Sequence, residues 1–273
     1  MRKLSISRAW DETKAILSRD GKLFASVALA LITFPTLITG YLNPKGMTDA
    51  SPPLWASIVT LIASLVVFGG QLACIRLALG PSITVGSAIG HGMRRMPIYF
   101  LAILIVVAGL LLAAVPFALA LSAAGVPMTG TTLPNTPPVV IAVILYFALI
   151  CFIFVRMCMT APAASGEAIG SIAIIRRSWE LTAGNFWRLL GFLLLFLVAT
   201  MLIVLALHSA IGLVVSLALG PVEPMSASAV VIALIDALIN AVVTVLLTVM
   251  LARMYVQLAG HAGTESGVPI SGT

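Results

Sequence analysis

Six stretches of this sequence run for about 20 residues or more with at most two charged side chains each: 23–42, 54–79, 97–124, 139–160, 189–219 and 229–258. Crossing the hydrocarbon of a bilayer takes about 20 apolar residues in a helix. Inside it the backbone groups must bond to one another, so each stretch reads as a spanning helix. Composition agrees. Of 273 residues 61% are hydrophobic and 9% charged, against about 45–50% and 25% in soluble domains. Twenty-four charged side chains cannot solvate a chain of this size, which excludes a soluble enzyme and a disordered protein. The cysteines Cys74, Cys151 and Cys158 are odd in number and lie in apolar runs, so a disulfide scaffold is excluded too. The expected fold is all-α: a polytopic membrane protein of six helices.

The connections orient it. Lys and Arg collect on the cytoplasmic side of membrane proteins. The segment before residue 23, the flanks of the second and fourth connections and the end of the sixth helix hold every basic residue except Lys45, fourteen of the fifteen. Both termini are therefore expected in the cytoplasm, and the net charge of +6 marks a membrane face rather than a nucleic-acid partner. The first stretch follows 22 residues containing Asp11, Glu12 and Asp20 and is too long for a signal peptide, so it reads as a retained helix. The resulting division is a cytoplasmic amphipathic segment over 1–22, a membrane domain over 23–260 and a disordered cytoplasmic tail over 261–273.

An internal repeat underlies the six helices. Arg76 is followed by Gly86 and Gly90, and Arg156 at the same offsets by Gly166 and Gly170; Arg253, Gly263 and Gly267 repeat the skeleton weakly. "RAWDET" at 8–13 is echoed by "RSWELT" at 177–182. The simplest arrangement is three parallel units, each an amphipathic helix followed by two spanning helices. In the third unit Ala168, Ile172, Ile175 and Trp179 form one apolar stripe. Ile6, Trp10, Thr13 and Leu17 match it in the first. Trp with flanking Arg suits a headgroup boundary, so these helices are expected in the cytoplasmic interface, as anchors in preference to lipid sensors.

No catalytic signature, cofactor motif or metal-ligand spacing is present. Asp236 is the lone acid inside a span, where a charge costs at least about 2.5–3.5 kcal/mol at the centre and so marks a candidate site. It begins a polar stripe with Asn240, Thr244 and Thr248, while Ser57, Thr60, Ser64 and Gln71 form another on the second helix. Two such faces are candidates for lining a hydrated path or ligand cavity, with Asp236, Asn240, Thr244, Thr248 and Gln71 as the lining residues. The favoured reading is interhelical hydrogen bonding, typically about 0.6 kcal/mol per bond in membranes. Arg76, Arg156 and Arg253 near helix ends, with Arg176, Arg177 and Trp179, are candidate contacts to anionic lipid headgroups. Snorkelling alone also accounts for the three end arginines.

Residues 161–196 resemble the membrane domain of bacterial glycerophosphoryl diester phosphodiesterases and related multi-pass families. The match runs through Pro162, Glu167, Ser178, Trp179, Leu181, Thr182, Gly184 and Trp187. The resemblance implies a six-helix fold in the bacterial inner membrane. Activity in that family resides in a separate soluble barrel domain with acidic metal ligands, for which the residues after Gly260 leave no room, so no catalytic residue is carried over. The expected protein is non-enzymatic and lipid-interacting or a scaffold for a membrane-protein partner; the alternative is a small transporter using the polar stripes.

Overall fold

The computed structural model describes residues 4–42, 53–80, 83–123, 136–220 and 226–265. All of its regular structure is helical. Six helical runs, Ile6–Gly40, Leu54–Leu79, Val85–Ser122, Pro137–Gly166, Phe186–Ala218 and Ala227–Gly260, are long and apolar enough to cross a membrane. The chain is a polytopic, all-α membrane protein.

The first run comprises α1 (Ile6–Ala28), a π-helical turn (Leu29–Thr33) and α2 (Phe34–Leu42). The π turn ends two residues before Pro35, whose missing N–H interrupts the i to i−4 ladder; the Phe34 N–H reaches back five residues to Leu29 O instead. The remaining elements are α3 (Leu54–Leu79), α4 (Val85–Ala123), α5 (Pro137–Met157), α6 (Thr160–Gly166), α7 (Ser171–Thr182), α8 (Phe186–Leu219) and α9 (Ala227–Glu265). Pro116, a candidate kink, lies inside α4, which continues through it. Lys45 and most of the three connections opposite the basic end lie outside the described residues. Of the tail expected from 261, residues up to Glu265 are the end of α9 and 266–273 lie outside them.

The three units differ in how they begin. Only in the third is the amphipathic helix a separate element: α7 stops after Thr182, where Gly184 adopts a φ of +81° that side chains disfavour. In the first unit the amphipathic residues 6–22 run on into the span within α1. In the second, α4 begins twelve residues before Pro97. Seven charged side chains between residues 8 and 22 keep the start of α1 out of hydrocarbon, so the span proper begins near residue 23. This part of α1 is docked on α9, where Thr13 and Glu12 contact Met250 and Arg253.

The echo between 8–13 and 177–182 is structural. Ala9 and Ser178 are fully buried, as are Thr13 and Thr182. Each threonine donates to the carbonyl four residues back, at 2.7 and 2.9 Å. Trp10 and Trp179 both face outward. The side packed on protein is thus the small and polar one, while the tryptophans and Ile172 point away, a common preference of helices packing in membranes.

Each unit's leading helix packs on the arginine-bearing end of the unit before it. The start of α4 lies on α3, where a Cβ at Gly92 would strike Gly69 O and approach Ala73 N to 2.9 Å. α7 lies on α5, with Ser178 Oγ donating to Arg156 O at 2.7 Å. α1 lies on α9, which closes the ring. Most of the core sits at this basic end, around Met159, Ile174, Leu189 and Met254 and around Phe24, Ile32, Ile75 and Val249. Toward the far end the buried set thins to scattered residues, among them Ala56, Leu121, Val139, Val215 and Ser228.

Candidate functional site

The three repeat arginines occupy related places and meet different surroundings. Arg253 lies against α1: its Nε and Nη2 both stand 2.7 Å from Glu12 Oε2. Arg8 donates to the other oxygen of Glu12 at 2.8 Å. Burial would raise the Glu12 carboxyl, but the hydrogen bonds from Arg8 and Arg253 outweigh it and hold the group below its ordinary value. Glu12 and Arg253 also edge a cleft of about 290 Å³ floored by Leu77, Ala78 and Gly80.

Arg156 is enclosed by aromatic rings. Its guanidinium carbon lies 4.9 Å from the Trp179 ring centre, 5.4 Å from Phe152 and 5.9 Å from Phe186. Its Nη1 donates to Trp179 O at 3.3 Å and to Thr182 Oγ1 at 3.4 Å. Two candidate lipid contacts, Arg156 and Trp179, are thereby spent largely on each other. Arg76 is half-buried and makes no hydrogen bond or ion pair among the described residues.

The short α6 and α7 fasten the centre of this end. Ser165 Oγ donates to Leu72 O at 3.1 Å and Ser171 Oγ to Ile98 O at 2.8 Å. His91 Nε2 stands 3.0 Å from Ser165 O, which can only accept, so that nitrogen carries the proton. Glu167 Oε1 receives Arg177 Nε at 2.9 Å and the Tyr255 hydroxyl at 2.5 Å. Arg95 holds the Glu167 carbonyl and, at 3.3 Å, that of Ile169. Burial opposes the charge of Arg177, but Glu167 more than compensates and its pKa is raised. Arg177 is therefore an internal tie. Among the described residues Arg176 pairs only with Glu180 four residues on, at 3.0 Å, and is largely exposed.

The polar stripe of α9 divides. Successive steps of four residues drift by about 40° around a helix, and that drift carries it from the outer face to the core. Asp236 and Asn240 are exposed and Thr244 half-buried. Thr248 is buried and donates to Thr244 O at 2.7 Å. On α3, Thr60 and Ser64 donate to carbonyls of their own helix, both at 2.8 Å, and Gln71 is half-buried. Asp236 instead meets His208 of α8, with Nδ1 3.2 Å from Oδ1. Ile211, Gly212, Ile232, Ile235 and Ile239 surround the pair, leaving a cavity of about 10 Å³, room for one water at most.

This partner of Asp236 was missed in the sequence, although a signal was present. His208 stands twelve residues before Gly220 and Asp236 ten after Ser226. In an antiparallel hairpin, residues nearly equidistant from the connection lie side by side.

Comparison with curated proteins and with solved structures finds no match. A family model described as a domain of unknown function (DUF7847) matches residues 4–258. Because that match covers more than nine-tenths of the chain, from the start of the first spanning run to within two residues of the end of the sixth, the chain belongs to this family.

Proposed function

We propose that the protein is a non-enzymatic membrane component whose basic end seats on the anionic cytoplasmic surface of a bacterial inner membrane, where it serves as a lipid-associated scaffold. The outward face of α7 and the start of α8 carries the reading: Ile172 is 74% and Trp187 79% exposed, with Arg176 bonded, among the described residues, to Glu180 of its own helix alone. Apolar rings beside cations match a headgroup boundary, and each juxtamembrane cation gains about 1 kcal/mol from an anionic leaflet. Arg76, without a hydrogen-bond or ion-pair partner among the described residues, adds a further cation. The resemblance of residues 161–196 to membrane domains of glycerophosphoryl diester phosphodiesterases supports a membrane role without chemistry of its own. The clustering of basic residues at the end that holds Leu4 and α9's last turns supports cytoplasmic termini.

The test is thermal unfolding of the purified chain in nanodiscs. Its Tm should be higher in anionic than in zwitterionic lipid at low salt, with the difference shrinking as salt rises. Arg176→Gln combined with Trp187→Ala should remove most of the difference. Equal Tm in both lipids overturns the reading. A reporter that is active only outside the cytoplasm, fused after Glu265, should stay silent; activity there would reverse the orientation.

A further inference from the structure

Ionisable side chains within spanning segments almost always face a bundle interior or a water-filled cavity. The His208–Asp236 pair does neither. The two side chains are 54% and 48% exposed, and the cavity beside them is no larger than a single water. They are not at a helix end. His208 lies four residues past the midpoint of 189–219, and Asp236 seven or eight before the midpoint of 229–258. At 1.5 Å per residue that is roughly 6 and 11 Å from mid-span, inside a half-thickness of about 15 Å. No other charged side chain among the described residues answers them from neighbouring elements. Among the described residues, α2 and the facing half of α3 contribute only hydroxyls and apolar groups, and α5 contributes Tyr146, which bonds Leu110 O.

The surface beside the pair is equally without cover. Leu194, Leu197, Met201 and Leu205 are each at least 57% exposed, and with His208 they recur at steps of three and four along one side of α8. That is the spacing of a helix–helix seam. At the basic end α8 packs on the rest of the bundle through a neighbouring stripe, Leu189, Phe192 and Leu193; toward the far end it meets α9 at the edge of the seam, through His208 and Val215 two turns on.

We infer that this seam of α8, with the His208–Asp236 pair at its polar position, is the contact surface for a second copy of this chain in the membrane. The choice of partner follows from depth and complementarity. A second copy inserted in the same direction brings every residue to the depth of its counterpart. It therefore presents an imidazole and a carboxylate exactly where the first copy has them, donor to acceptor in both directions about a two-fold axis. His208 Nε2 and Asp236 Oδ2, the atoms not joining the pair within one copy, supply that exchange. An apolar partner helix would leave the pair in hydrocarbon, and an unrelated polar one would need matching groups at the same height. This inference does not rest on the lipid-scaffold reading, which concerns the opposite end.

The test uses the full chain with a single fluorophore on a terminal tag, reconstituted in vesicles at decreasing protein-to-lipid ratio, with photobleaching steps counted per spot. Wild type should bleach in two steps down to dilute ratios. Replacing both polar partners, His208→Leu with Asp236→Leu, removes the pair without leaving either group unpaired and should weaken association at least tenfold. As a check independent of that variant's folding, Leu205→Cys in the otherwise native chain should form a disulfide-linked dimer on oxidation. The parent and Leu112→Cys on α4 should not. Single-step bleaching of wild type at all ratios, unchanged association of the double variant, or equal cross-linking at Leu205→Cys and Leu112→Cys would each overturn the inference.

Discussion

Arg156 and Glu12 show how charged side chains at a membrane boundary become structural. Arg156 sits within cation–π range of three rings, in a geometry that depends on a flat guanidinium. Lysine would keep the charge and lose the stacking. Arg156→Lys should therefore cost about 0.5–2 kcal/mol, read as a lower Tm in detergent, and a Tm equal to wild type would show that the rings contribute nothing. Glu12 accepts from two arginines, and losing its charge leaves Arg253 facing a neutral amide. Glu12→Gln should cost about 1.5–3 kcal/mol. The carboxyl is held below its ordinary value in the folded protein. Its contribution is thus present above the ordinary carboxylate range and is lost as pH falls through the lowered value. Wild type should lose Tm in acid more steeply than Glu12→Gln, and parallel pH profiles would refute the linkage.

At the scale of elements, the tightest contact is that of α3 with the start of α4. Gly92 lies against the backbone of Gly69 and Ala73, whereas Gly109 on the same helix has open space around its Cα. Gly92→Ala should force the helices apart at about 1–3 kcal/mol. Gly109→Ala should stabilise by up to about 1 kcal/mol through helix propensity. Equal effects in thermal unfolding would deny the close approach. The six spans were legible in the sequence because apolar length is a one-dimensional property, and the repeat was legible because Arg156–Gly170 copies Arg76–Gly90 without a gap. The backbone breaks were harder to read. The same skeleton is continuous helix around Gly86 and Gly90 but interrupted near Gly166 and Gly170. What differs is tertiary: a Cβ at Gly166 would stand 3.1 Å from the Tyr255 ring, an approach between residues 89 apart that no local pattern encodes. The site was partly legible for the same reason. Arg156 and Trp179 could be named, but not that they would stack on each other, and the partner of Asp236 depended on the register of a hairpin.

For the whole molecule the consequence of the repeat is a closed ring, in which the first unit completes the third. Residues before 21 are then integral to the bundle's core at the basic end, since Ala9 and Thr13 are fully buried there. Deleting residues 1–20 should uncover Met250 and Arg253 and lower the Tm by roughly 2–4 °C per kcal/mol lost. An unchanged Tm in the same detergent would mean the ring is open. Closure also sets a schedule. The start of α1 leaves the ribosome ahead of the other helices, while the surface that receives it, around Arg253, is made 241 residues after Glu12. At about 5–20 residues per second the segment waits roughly 10–50 s, charged on one side and bearing Trp10 on the other, before its seat exists. The last helix to be synthesised is thus the one that allows the first to dock.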